Sequence, residues 1–131
     1  MKKWILIFLS VMLLTACGQD TIAEQEPVYV NITAQEAKEL MENEKNYVIL
    51  DTRTQEEYDE KHIPGAILIP YDEILEKAEE ILTDKDQLIL VYCRSGRRSK
   101  LASEDLVALG YTNIKEFGGI IDWPYEVEPH S

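Results

Sequence analysis

Between Val28 and Phe117 the chain alternates short apolar runs with longer amphipathic ones, and this change of period is its most restrictive feature. Val28 to Ile32, Tyr47 to Leu50, Ile67 to Ile69, Leu88 to Tyr92 and Ile114 to Phe117 have the length and residue types of strands. The runs at Tyr47 and Leu88 are apolar throughout, as in strands buried on both faces of a parallel sheet. Thr33-Ala34-Gln35-Glu36 and Thr54-Gln55-Glu56-Glu57 have the form of capping boxes. The first opens a helix through about Asn43, the second a short helix that must end before Pro64. A helical period on Ile74, Leu75, Ala78, Ile81 and Leu82 marks a third, and Ser99 to Leu109 a fourth that stops at Gly110. Strands and helices in alternation predict a three-layer α/β/α domain, with a five-stranded parallel sheet covered on both faces by right-handed crossovers. Ligands of such sheets bind at the carboxyl ends of the strands.

The chain of 131 residues is long enough for one such domain. Its first 16 residues open with Lys2 and Lys3, continue apolar from Trp4 to Leu14 except for Ser10, and then turn small and polar. This is the layout of an export signal, and the run falls short of the roughly 17–25 apolar residues that span a bilayer. Leu14-Thr15-Ala16-Cys17 resembles the bacterial lipobox. That resemblance implies cleavage before Cys17 and acylation of it, with palmitate among the chains attached. The expected division is therefore a signal peptide over residues 1–16, a polar lipidated tether over 17–26 and the folded domain over 27–131, held outside the cytoplasm on a bacterial membrane. Losing Lys2 and Lys3 leaves 11 basic against 25 acidic groups, a formal charge of −14. That balance argues against a nucleic-acid partner. With Cys17 acylated only Cys93 remains as a thiol, which excludes disulfide stapling and cysteine-based zinc sites. His62 and His130 make no convincing metal pair, so neither metal nor cofactor is expected.

Leu88 to Tyr92 delivers Cys93 to the tip of a central strand, and Arg94-Ser95-Gly96-Arg97-Arg98 turns the chain toward the next helix. Cys93 is expected in the mouth of a loop whose amides point inward at a helix start, an arrangement that favours an anion. The first anion there would be its own thiolate. A thiol near pKa 8.5 must shift by about two units, or about 2.7 kcal/mol, to be mostly ionised at pH 7. A helix terminus supplies about 0.3–1 kcal/mol and at best about 2, so loop amides and the adjacent arginines must supply the rest. Three of the four arginines in the chain, Arg94, Arg97 and Arg98, fall within these five positions. Burying a small apolar cysteine beside three guanidinium groups would be costly, so the reactive reading is preferred. Gly96 is expected at positive φ to close the turn. Arg97 and Arg98 are each candidates for substrate contact, the alternative for one of them being a pair with an acid such as Glu104 or Asp105.

The chain carries, in order, Asp51-Thr52-Arg53, His62-Ile63-Pro64-Gly65-Ala66, Cys93-Arg94-Ser95-Gly96-Arg97-Arg98-Ser99, and Gly118-Gly119 with Trp123. With this set it resembles, from about Ile32 to Trp123, the single-domain rhodanese-like sulfurtransferases. The resemblance implies that Cys93 is the catalytic nucleophile and takes sulfane sulfur from thiosulfate or a persulfide. It also implies that Arg94, Ser95, Gly96, Arg97 and Arg98 form the substrate loop, and that a thiol or cyanide accepts the sulfur. Asp51, Arg53 and Ser99 are expected as structural support, and His62 as a hydrogen-bonding loop residue. The protein is expected to work as a monomer. Cysteine-dependent phosphatases and arsenate reductases need an arginine after five intervening residues; that position is Ser99, with Arg98 one residue early. The remaining alternative is a non-catalytic persulfide carrier or redox scaffold, in which Cys93 would be reset by an external reductant.

Overall fold

The computed structural model describes residues 28–129, so the expected signal peptide, Cys17, the expected tether and His130 lie outside the described residues. Five strands, β1 (Val30–Asn31), β2 (Tyr47–Asp51), β3 (Ile67–Leu68), β4 (Leu88–Cys93) and β5 (Ile114–Gly119), form one sheet in the order β1-β5-β4-β2-β3. Every neighbouring pair is parallel, as the alternating pattern predicts. Between them run α1 (Ala34–Asn43), α2 (Gln55–Glu60), α3 (Ile74–Ile81) and α4 (Arg97–Ala108).

Local chemistry explains most boundaries. Thr33 Oγ1 accepts the Glu36 amide at 3.1 Å at the start of α1. At α2 the capping box closes in both directions, with Glu57 N–H donating to Thr54 Oγ1 at 3.2 Å and Thr54 N–H donating to Glu57 Oε1 at 3.3 Å. Three expectations shift. β5 runs on through Gly118 and Gly119 instead of ending at Phe117, because Gly119 still pairs with Cys93 of β4. β1 is shorter than Val28 to Ile32, because it lies at the sheet edge and pairs only Val30 and Asn31 with β5, leaving Val28 71% exposed. α4 starts at Arg97 rather than Ser99, because Gly96 turns the chain in the left-handed region immediately before it and the Ser99 hydroxyl is engaged elsewhere.

The sheet divides two cores. Ile89 and Val91 of β4 pack with α3 and α4 residues such as Ala78, Ala102 and Leu106. Leu88, Leu90 and Tyr92 pack on the other side with Ala37 of α1, Phe117 and Trp123. This is the period of two that a fully buried strand needs, with apolar residues on both faces. All six β4 residues are buried, which anchors the strand tip rigidly beneath the loop that follows it.

Candidate active site

The alternation that builds the core also aims the chemistry. Cys93 continues the face of Ile89 and Val91, and Glu116 continues that of Ile114, so both side chains meet the start of α4 at the carboxyl end of the sheet. Between the pairs Val91–Glu116 and Cys93–Gly119, β5 carries an irregularity that brings its two glycines against the loop. Sγ of Cys93 accepts the Gly96 amide at 3.0 Å and lies 3.3 Å from Ser99 Oγ. Cys93 is only 1% exposed, on the floor of the loop rather than in its mouth as the sequence suggested. Of the inward amides expected around it, the one hydrogen-bonded to sulfur is that of Gly96. Those of Arg97, Arg98 and Ser99 occupy the first turn of α4, where backbone donors have no intrahelical partner.

Two glycines make this turn possible. Gly96 has φ +108°, a conformation that a side chain strongly disfavours. At Gly119 the constraint is space: a Cβ there would lie 1.9 Å from the Arg94 carbonyl oxygen and 2.6 Å from Ser95 Cα. The β5 backbone therefore supports the loop directly.

The three loop arginines separate into two roles. Arg94 and Arg97 are exposed and enter no ion pair among the described residues. Arg98 instead crosses to α2 and forms a two-pronged pair with Glu57, Nη1 to Oε1 at 2.6 Å and Nη2 to Oε2 at 2.9 Å. This corrects the partner expected for it. Glu104 and Asp105 lie six and seven residues further along the same helix, about 10 Å up its axis at 1.5 Å per residue, while Glu57 faces the first turn directly. The hydrogen bond from Arg98 pulls the Glu57 carboxyl down to about 2, against a smaller opposing effect of burial. In return Glu57 holds the Arg98 guanidinium more firmly protonated than usual.

Asp51 and Arg53 lie one layer below. Arg53 Nε donates to Asp51 Oδ1 at 3.0 Å, and its Nη2 donates to Asp51 Oδ2 at 2.7 Å and to the Lys61 carbonyl at 2.6 Å. Burial opposes the charge of Arg53, but the Asp51 hydrogen bond and charge outweigh it, and its pKa rises. Tyr92 O–H donates to Asp51 Oδ2 at 2.7 Å and accepts the Ile63 amide at 3.1 Å. Burial and the Asp51 charge push the Tyr92 phenol far above its ordinary range, so it stays a donor. His62 stacks on Tyr58 at 3.9 Å between ring centroids and places Nδ1 2.8 Å from the Tyr58 carbonyl. None of its hydrogen bonds reaches Cys93.

Three participants were not singled out from the sequence. Glu116 was legible as an acid on the inward-facing period set by Ile114. Glu57 was identified as a helix cap but not as an arginine partner, which depends on how α2 and α4 pack. Tyr92 reads as one more apolar residue of its strand, and nothing in the sequence marks its hydroxyl.

A parallel α/β/α sheet that presents Cys93 at a central strand tip, beneath a glycine turn and a helix start, defines the class of fold to which the chain belongs. The chain belongs to the Rhodanese-like domain family, which matches residues 33–124. It is 40% identical over 73 residues to the thiosulfate sulfurtransferase PspE of Escherichia coli, covering 56% of this chain and 70% of that one. It is 31% identical over 121 residues to the adenylyltransferase and sulfurtransferase UBA4 of Candida albicans, covering 87% of this chain but only 27% of that longer protein. A rhodanese-related protein from Thermoplasma volcanium superposes with a TM-score of 0.67 at 31% identity, over 78% of this chain and all (100%) of that one. Sulfur transfer in general is the activity these relatives support.

Proposed function

We propose that the protein moves sulfane sulfur from thiosulfate or a small persulfide to a thiophilic acceptor through a persulfide on Cys93. The observation that carries this reading is the position of Sγ, buried at the start of α4 with the Gly96 amide 3.0 Å away. The Cys93 thiolate attacks the outer sulfur of thiosulfate; a new S–S bond forms and the old one breaks, its electron pair leaving with sulfite. Cyanide or a thiolate then attacks the outer sulfur of the Cys93 persulfide and departs as thiocyanate or a new persulfide. That second displacement returns the Cys93 thiolate. Arg94 and Arg97, free of acidic partners among the described residues, are available for the sulfonate-like group. A depression lined by Arg94, Lys61, Ile120 and Ile121 adjoins the loop and offers an approach for the acceptor. Arg98 is held by Glu57 and sits one residue too early, which disfavours phosphate chemistry.

Thiosulfate:cyanide turnover is expected in the purified protein and should be lost in Cys93→Ala. Intact mass after thiosulfate alone should rise by roughly 32 Da, one sulfur atom, in the wild type only. If neither protein turns over but the mass still rises, the carrier reading replaces the enzyme.

We further propose that Cys17 carries lipid and holds the domain outside the cytoplasm, as the signal layout suggests. Labelled palmitate should enter the wild type and not Cys17→Ala, and recovery of the unmodified chain from the cytosol would reject the anchor.

A further inference from the structure

Glu116 is a buried acid beside the sulfur that the transfer steps leave without a part. It is 2% exposed, and no lysine or arginine lies within ion-pair distance of it among the described residues. Its Oε1 accepts the Ser99 hydroxyl at 2.7 Å and the Gly118 amide at 2.8 Å. Ser99 Oγ lies within reach of several acceptors, including Gly96 O at 3.0 Å and Cys93 Sγ at 3.3 Å, yet a serine has one proton to give. The carboxyl oxygen of Glu116, at the shortest distance and already accepting the Gly118 amide, is the strongest of these acceptors and takes it. The sulfur then faces the lone pairs of Ser99 Oγ. A thiol can donate its S–H there; a thiolate gains nothing.

We propose that Glu116, acting through Ser99, is a positioning residue that holds Cys93 toward its protonated form, opposing the amide and guanidinium groups that favour the thiolate. The hydrogen-bond direction and the like charge of the carboxylate act in the same sense. The charged and titratable groups facing the pair from the surrounding elements are few. Arg98 of α4 favours the thiolate and is partly neutralised by Glu57 of α2; Asp51 of β2 lies beyond it. Tyr29, ahead of β1, faces Glu116 and Glu104. The benefit is reactivity: a thiol attacks best when its pKa lies near the ambient pH, because nucleophilicity falls as the pKa is driven down.

The proposal rests on Cys93 being the reacting thiol, but its test reads ionisation directly rather than turnover. The rate of iodoacetamide alkylation of the full chain would be followed against pH, with peptide mass spectrometry reporting Cys93 alone. Glu116→Gln can keep both hydrogen bonds to Oε1 while removing the charge. Its inflection should move to lower pH by about half to one unit, a threefold to tenfold faster alkylation below the wild-type inflection. Ser99→Ala should also lower the inflection, and the double variant should shift it by less than the sum of the two. If the hydroxyl instead served the thiolate as a donor, Ser99→Ala would raise the inflection, which overturns the proposal. An unchanged or raised inflection in Glu116→Gln overturns it as well, as does strict additivity in the double variant. Absent thiosulfate turnover with these shifts intact would count against the proposed function and leave this inference standing.

Discussion

Single atoms decide whether the loop closes. The space above Gly119 is already filled by the Arg94 carbonyl, so even one methyl group must displace backbone rather than a flexible side chain. Gly119→Ala should therefore lower thiosulfate:cyanide turnover by at least about tenfold while costing about 1–3 kcal/mol in denaturant unfolding, the usual range for overpacking. Near-normal turnover in that variant would show that the loop tolerates a shift and that its contact with β5 is incidental. The cysteine and its arginines were legible because a cluster of basic side chains in an acidic chain stands out. The division between free Arg94 and Arg97 and the tethered Arg98 was not legible, since it depends on an acid 41 residues away in the chain.

At the scale of elements, α2 and α4 are joined by the Glu57–Arg98 pair, while the same Glu57 closes the capping box of α2. The folded-state pKa of Glu57, about 2, lies below its ordinary value of 4.5. The stability from this depressed carboxyl is fully present above pH 4.5 and is lost as the pH falls from there through about 2. Glu57→Gln should cost about 1–3 kcal/mol at pH 7, as expected for losing a charge-assisted hydrogen bond. The gap to wild type in unfolding free energy should narrow across that acid window, and a gap independent of pH would remove the ion pair from the explanation. Helix starts at Thr33 and Thr54 were readable because capping is short-range chemistry. α4 starts two residues ahead of Ser99 because Ser99, a good capping residue by type, gives its hydroxyl to Glu116 of β5 beneath it.

For the whole molecule, the order β1-β5-β4-β2-β3 puts the fully buried strand β4 in the middle and the cysteine at its tip, with a core on each face of the sheet. Beneath the loop, Asp51 joins Arg53 and Tyr92, tying β2, β4 and the Lys61–Ile63 segment into one buried polar network. Among the described residues no buried side-chain nitrogen or oxygen lacks a hydrogen-bond partner, so these charges are buried without orphaned groups. The class of fold, the parallel sheet and the cysteine loop are readable from neighbouring residues alone, because hydrophobic period, capping and local charge are short-range properties. Which arginine is tethered, how deep the sulfur lies and which acid stands behind it depend on the packed chain. Those are contacts between segments far apart in the chain, and they exist only once the sheet has brought β2, β4, β5 and α4 together at one edge.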